Sequence, residues 1–435
     1  MPEGWEWTRL GNLSSLIQYG LSNSAEAQGT HRLLRITDIQ DGKVNWKDVP
    51  FTTVENAENY LLRKDDIVFA RTGATVGKSF LVTELPFESV YASYLIRIRL
   101  FDCISPSYLY QFFNSYCYWE QITDKSVGVG QPNCNGTSLK ELFIPLPPLH
   151  EQKRIVPAAN ALLKYASVIE SERASLQEII NLAKSKILDL AIRGKLVPPD
   201  PNDEPASVLL ERIRAEKEEL IRQGKIKRDK KESFIFRGDD NSYYEKIGND
   251  IICIDEELPF DIPHNWSWCR LGNIGDWAAG STPSRSYPEY YNGTIPWLKT
   301  GDLNDGYITN IPESISEEAL KNTSVRLNPS GSVLIAMYGA TIGKLGILTF
   351  PATTNQACCA CSPLDGINNH YLFYYLLSQK DNFVYRSVGG AQPNISKEKI
   401  VTTLMPVPPY EEQRQILDKI DIFFDLIRDI EKSLN

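Results

Sequence analysis

Short apolar runs bounded by glycine and aspartate recur along residues 1–148, among them Asp66-Ile-Val-Phe-Ala70 and Leu95-Ile-Arg-Ile-Arg-Leu100, and such runs predict strands. The pattern returns at Ser332-Val-Leu-Ile-Ala336. Helical pieces are predicted over 107–119 and 369–377, so both regions read as mixed α and β. From Ile155 the period changes. Ile155, Ala159, Leu162, Ala166, Ile169, Arg173, Leu176, Ile180, Ala183, Ile187 and Leu190 fall at alternating steps of four and three, a heptad seam with one polar interruption at Arg173. This predicts a helix to about Arg193, in which Pro157 should kink the axis or delay the regular start because it lacks an N–H. Pro198-Pro-Asp-Pro201 ends it, and Pro205 opens a shorter helix at about 207–222 with Leu209, Ile213 and Leu220 on one face.

The chain is written twice. Trp5-Glu-Trp7-Thr-Arg9-Leu10-Gly11-Asn12 returns as Trp266-Ser-Trp268-Cys-Arg270-Leu271-Gly272-Asn273, an offset of 261 residues. Asp38-Ile-Gln-Asp41-Gly42 returns as Asp302-Leu-Asn-Asp305-Gly306, Gly73-Ala-Thr-Val-Gly77-Lys78 as Gly339-Ala-Thr-Ile-Gly343-Lys344, Gln131-Pro-Asn133 as Gln392-Pro-Asn394, and Pro145-Leu-Pro-Pro148 as Pro406-Val-Pro-Pro409. Five landmarks in one order are two diverged copies of a domain, since the period exceeds any solenoid unit. The helical seam is copied too, as Ile416, Ile420, Phe423, Ile427, Ile430 and Leu434. A narrow seam on a long helix must bury itself against another helix, so the two seams are expected to pair antiparallel. The repeat divides the chain into 1–148, a helical spacer 149–233, a connection 234–262, a second domain 263–409 and a final helix 410–435. That helix is expected to be a short version of the first, because the repeat stops before a counterpart of residues 175–233.

Composition narrows the function. With 42% hydrophobic and 23% charged residues among 435, the chain should fold, into two or three cores. It has no run of about 20 apolar residues and no signal-like start, so a cytoplasmic protein is expected. Eight cysteines without a Cys-x-x-Cys pair read as reduced, mostly buried thiols, with no metal site expected. A net charge of −9 argues against a protein that coats DNA non-specifically, although residues 149–233 carry 17 basic against 14 acidic side chains.

Pro145-Leu-Pro-Pro-Leu-His-Glu-Gln-Lys-Arg-Ile155, its second version at 406–416, Ile187-Leu-Asp-Leu-Ala-Ile-Arg-Gly-Lys-Leu-Val197 and Asp203-Glu-Pro-Ala-Ser-Val-Leu-Leu-Glu-Arg-Ile-Arg-Ala-Glu-Lys217 resemble the specificity subunits of type I restriction-modification enzymes. The resemblance covers essentially the whole chain. It implies an α+β protein: two mixed α/β target recognition domains joined by a pair of long antiparallel coiled-coil helices in a pseudo-twofold repeat. It also implies a non-catalytic subunit that binds double-stranded DNA and works with two modification subunits and with restriction subunits, the nuclease-translocases. S-adenosylmethionine, ATP and magnesium are then expected on those partners and not on this chain. Each domain would read one half of a split site. The runner-up is a coiled-coil scaffold that binds protein and no DNA, favoured by the acidic balance.

Candidate contacts follow from residue chemistry. Gly73-Ala-Thr-Val-Gly77-Lys78-Ser79 is one residue too short between its glycines for a nucleotide-binding loop. It reads as a turn whose small residues allow close approach to DNA, with Arg71, Thr72, Lys78 and Ser79 in one copy and Tyr338, Thr341 and Lys344 in the other. The amides of Gln131, Asn133, Gln392 and Asn394 could bond adenine bidentately or lock a loop. Base readers should lie where the copies disagree: His31, Arg32, Arg35, Lys43 and Trp46 against Tyr290, Tyr291, Trp297 and Lys299. Trp5, Trp7, Trp266 and Trp268 are read as core anchors. Glu151, Gln152, Arg154, Glu412, Gln413 and Arg414 start the two helices at equivalent places and could dock modification subunits. No catalytic set emerges: the four histidines share no neighbourhood, and Val407-Pro-Pro-Tyr410 has the wrong first residue for an amine-methylating motif.

Overall fold

A computed structural model describes residues 1–40, 42–125, 133–228, 232–387 and 394–434. The chain forms two compact units, Met1–Glu172 and Arg173–Asn435.

In the first unit a four-stranded antiparallel sheet is ordered β2-β8-β5-β6, from Ser14–Tyr19 (β2), Ile67–Ala70 (β5), Ser79–Leu81 (β6) and Leu95–Leu100 (β8). A smaller sheet sets His31–Leu34 (β3) antiparallel to Phe51–Thr52 (β4) and parallel to Ser89–Tyr91 (β7). Glu6–Arg9 (β1) pairs with Phe143–Leu146 (β9), Trp7 opposite Pro145. The predicted helix over 107–119 is two helices, Pro106–Phe112 (α1) and Tyr116–Lys125 (α2). Tyr118 and Ile122 of α2 are buried in the core beneath the main sheet. Arg97 is buried in β8, and the carbonyls of Leu61 and Asn59 accept from its guanidinium at 2.6 and 2.8 Å, which is what makes a buried cation tolerable.

Leu149–Ile192 (α3) is one helix of 44 residues, about 66 Å at 1.5 Å per residue. It starts eight residues before Pro157 and runs through it, so the regular start is not delayed. Up to Glu172 it belongs to the first unit, where the seam residues Leu162 and Ile169 are exposed by 70% and 65%.

The second unit holds the rest of α3, then Ala206–Arg222 (α4), then three strands where the sequence suggested only a connection: Ser233–Arg237 (β10), Tyr243–Ile247 (β11) and Asp250–Cys253 (β12), paired antiparallel in that order. Beyond them the first unit's plan repeats. Gly275–Ala279 (β14), Cys358–Pro363 (β21), Val333–Ala336 (β18) and Leu345–Leu348 (β19) form the main sheet in the order β14-β21-β18-β19, extended by Gly306–Ile308 (β16) in parallel. Tyr291–Leu298 (β15) lies antiparallel to Ser314–Ile315 (β17) and parallel to Thr353–Thr354 (β20). Ser267–Arg270 (β13) pairs with Leu404–Val407 (β22), Trp268 opposite Pro406.

After Asn369–Ser378 (α5), Lys380–Tyr385 (α6) and Lys397–Val401 (α7), the helix Tyr410–Ser433 (α8) returns to the end of α3. Leu188, Ala191 and Ile192 share a core with Ile416, Leu417 and Ile420, while Lys184 reaches Glu431 at 2.8 Å, so the numbering rises on one helix as it falls on the other and the pairing is antiparallel. Ile180 and Ile427 are also buried, but Phe423 and Ile430 of the expected seam are exposed.

The tryptophans divide. Trp266 and Trp268 are buried, as expected of core anchors, whereas Trp7 is half exposed; Ile254, Leu258 and Phe260 cover Trp268. The eight cysteines are free thiols, but Cys103 and Cys253 are exposed. Among the described residues no helix is long and apolar enough to cross a membrane.

Candidate nucleic-acid interface

The ends of β2, β5, β7 and β3 meet at one place in the first unit. Gly20 N donates to Leu95 O at 3.1 Å, Leu21 N to Tyr91 O at 2.8 Å, Arg71 N to Tyr94 O at 3.1 Å, Ala92 N to Leu34 O at 2.9 Å and Cys134 N to Arg71 O at 2.9 Å. A side chain on Gly20 would place its Cβ 2.3 Å from the carbonyls of Tyr91 and Ala92, so glycine is required for this closure. On the framework stand Tyr19, Arg71 and Tyr94. Arg71 lies over the Tyr19 ring at 4.9 Å, and its Nε is buried without a hydrogen-bond partner among the described residues. Tyr19 and Tyr94 are exposed.

The second unit repeats the framework bond for bond. Gly280 N donates to Cys358 O at 2.9 Å, Ser281 N to Thr354 O at 3.0 Å, Met337 N to Ala357 O at 2.8 Å, Asn355 N to Leu298 O at 2.9 Å and Ile395 N to Met337 O at 2.9 Å. The side chains differ completely: Ala279, Met337 and Ala357 stand where Tyr19, Arg71 and Tyr94 do, while Ser281, Asn355 and Gln356 replace Leu21, Ala92 and Ser93. Thr354 Oγ1 and Asn355 Oδ1 are buried and have no hydrogen-bond partner among the described residues. Sequence reasoning missed Gly20, Gly280 and most of these neighbours. The signal was present as a sixth landmark, the two glycines 260 residues apart.

The glycine turns join β5 to β6 and β18 to β19 through single 3-10 turns, Gly73–Thr75 and Gly339–Thr341. Strand, turn and strand is not the strand, loop and helix of a nucleotide-binding loop. Gly73, Gly77, Gly339 and Gly343 have positive φ, and a Cβ on Gly77 would sit 2.6 Å from Trp119, so these glycines build the turn. Thr75 and Thr341 bond back to the carbonyls of Thr72 and Tyr338 at 3.2 and 2.9 Å. Tyr338 and Lys78 are exposed; Thr72, Ser79, Thr341 and Lys344 are half-buried. Asn133 and Asn394 bridge to Thr72 and Tyr338, which ties both amide loops to the glycine turns. Gln131 and Gln392 lie outside the described residues.

Other candidates lie elsewhere in the two units. Trp46 and Trp297 are buried, the latter donating to Ser281 O at 3.1 Å, so burial corrects their reading as base contacts. Arg32 stacks on Phe51 at 3.9 Å, and Tyr291 lies under Arg285 at 4.4 Å. Arg35 pairs with Asp38 at 2.7 Å, and hydrogen bonding to that carboxylate raises the guanidinium pKa. Lys299 pairs with Glu313, whose carboxyl is held below its usual range by that lysine. Lys43 is exposed, and His31 accepts or donates at 2.8 Å to Thr30.

The expected docking set is corrected in three members, because Gln152, Glu412 and Gln413 are fully buried. Gln152 accepts from Ser105 N at 2.9 Å and donates to Pro147 O at 2.9 Å; Gln413 accepts from Asn368 N at 2.9 Å and donates to Pro408 O at 3.2 Å. Each glutamine thus clamps the start of its helix to the cap of another, Ser105 before α1 and Asn368 before α5. Glu412 accepts from Trp266 Nε1 at 2.9 Å and Asn265 Nδ2 at 3.1 Å. Arg154 and Arg414 are exposed, Arg414 pairing with Glu411 at 2.9 Å, and Glu151 is half-buried.

Residues 2–180 and 263–435 match the family described as type I restriction modification DNA specificity domain. The chain is 24% identical to the type I restriction enzyme EcoAI specificity subunit of Escherichia coli over 97% of its own length and 77% of that protein. It is 33% identical to the MjaIX specificity subunit of Methanocaldococcus jannaschii, over 40% of this chain and 41% of that protein. In fold it is similar to a chain from a study of complex assembly and conformational transition of the type I R-M system, with a TM-score of 0.69 at 20% identity, covering 100% of this chain and 93% of that one. The crystal structure of the HsdS subunit from Thermoanaerobacter tengcongensis gives a TM-score of 0.55 at 19% identity, with the same coverage.

Proposed function

This chain belongs to the type I restriction modification DNA specificity family, and from that premise we propose that its two halves each read one half of a bipartite, asymmetric DNA site. The chain is a specificity subunit, non-catalytic, that works with DNA and with the other subunits of its system. The observation that carries the reading is the paired framework: five equivalent backbone hydrogen bonds close the same strand ends in both halves, beside Tyr19, Arg71 and Tyr94 in one and beside Ser281, Asn355 and Gln356 in the other. Arginine favours guanine and amides favour adenine in the major groove. Two readers built alike but lined differently therefore suit two unlike half-sites, and a scaffold that bound only protein would have no need of that difference.

In this reading residues 1–148 and 263–409 are the target recognition domains. Helices α3 and α8 set the spacing between the half-sites that the chain accepts. Two modification subunits and the restriction subunits dock on the chain, and S-adenosylmethionine, ATP and magnesium belong to them. The exposed Arg154 and Arg414 remain suited to docking, and Lys78, Ser79, Thr341 and Lys344 to phosphate contacts. The cytoplasm is the matching compartment. Exchange of residues 1–148 for the same domain of a relative, followed by sequencing of the methylated adenines, is expected to change one half of the site and leave the other and the gap intact. A change in both halves would overturn the one-domain, one-half reading.

A further inference from the structure

The sheet β10-β11-β12 lies outside both stretches that match the family. Its last strand, Asp250–Cys253, is exposed at all four residues, including Ile251 by 58% and Ile252 by 52%. One edge of β12 pairs with β11, Ile252 opposite Glu245 and Ile251 opposite Lys246; among the described residues no strand lies along the other edge. An edge strand presents a row of unpaired N–H and C=O groups. Soluble proteins usually blunt such an edge with proline, lysine or a covering segment, and here it carries two isoleucines instead.

Behind the strand lies a cavity of about 710 Å³, lined on its apolar side by Ile247, Ile252, Ile254 and Val401. At its rim Arg270 is held by Glu245 at 2.6 Å and by Glu257 at 2.9 Å, and Arg386, Lys397 and Glu398 line it further in. Residues 232–262 carry nine carboxylates against two basic side chains, Arg237 and Lys246. Asp250 opens the strand, and Asp255, Glu256 and Glu257 follow it. So much negative charge repels nucleic acid. It equally disfavours a second copy of the same edge, where acid would face acid.

We propose that β12 is a docking edge for a partner protein, which adds to it an extended apolar strand flanked by lysine or arginine and seats one inward side chain in the cavity behind Ile252. Main-chain hydrogen bonds along the edge supply the affinity, and the pocket and the acidic flanks supply the selectivity. The site is independent of the DNA reading, and since the insert occurs once in the sequence, one strand binds per chain.

The test uses the full chain and three synthetic peptides: Lys-Ile-Lys-Val-Arg-Ile-Lys, its counterpart with Glu at every basic position, and the basic peptide with Pro at the central Val. Binding is followed by calorimetry and by hydrogen exchange. The basic peptide is expected to bind one to one, at least tenfold more tightly than the other two, and to slow exchange within residues 250–253. Ile252→Lys is expected to lower its affinity at least tenfold while leaving thermal unfolding and duplex binding as they were. No binding, equal binding of the acidic or proline peptide, protection confined to other residues, or equal affinity of the Ile252→Lys chain would each overturn the proposal. So would protection of residues 250–253 by self-association or by duplex DNA.

Discussion

Arg71 shows how much one side chain can decide. Its backbone N–H and C=O are consumed by the framework, its ring neighbour Tyr19 orients the guanidinium, and its Nε is left without a partner among the described residues. On the reading proposed above, this guanidinium contacts one half-site. Arg71→Ala is therefore expected to weaken specific binding by about 1–3 kcal/mol and to relax one half-site only, read from affinities for duplexes altered in either half. Glu412 decides something different. Burial raises its pKa, against the opposing effect of the bonds from Trp266 and Asn265. The folded state thus holds that proton more tightly than the unfolded one. The stability this gives is complete below the ordinary glutamate value of 4.5 and is lost as pH rises through the higher folded pKa. Glu412→Gln, which keeps an acceptor for Trp266 without the charge, should raise the melting temperature at pH 7 and flatten its decline above that value. A lower melting temperature at pH 7 would show that the ionised carboxylate is the better acceptor there.

At the scale of elements, α8 matters through a short stretch. Ile416, Leu417 and Ile420 lie in one core with Leu188, Ala191 and Ile192 of α3, and Ile420 is 1% exposed. Ile420→Ala is expected to cost about 2–5 kcal/mol, the range for truncating a buried aliphatic side chain, whereas Ile422→Ala on the exposed side should cost little; denaturant titrations of both variants measure the difference. The heptad spacing of α3 and α8 was legible because its period is a property of the chain. Which parts of the seam find a partner was not, since Leu162 and Ile169 carry the same signal as Ile180. The sheet β10-β11-β12 was missed although Ile247-Gly-Asn-Asp250 is a two-residue hairpin signal with Gly248 at positive φ. The acidic, aromatic stretch to Pro263 that contains it read as a connection.

For the whole molecule, the specificity role predicts that the purified chain neither methylates, cleaves nor hydrolyses ATP, and that methylation appears only on adding modification subunits and S-adenosylmethionine; turnover that survives purification to homogeneity would contradict it. The duplication and the two helical seams were in the order of the residues, because strand and helix periods and repeated landmarks are local and survive divergence. The sequence alone therefore determined that there are two related domains and a helical spacer. Tertiary structure decided which residues of each motif face inward. Gln152, Gln413 and Glu412 look like surface residues at helix starts, yet they are buried clamps, because caps distant in sequence converge on them. Tyr19, Arg71 and Tyr94 are scattered over 75 residues and become one surface only when Gly20 lets two strands close. Local pattern sets which way a side chain turns along its own element; only the packing of elements sets what it meets.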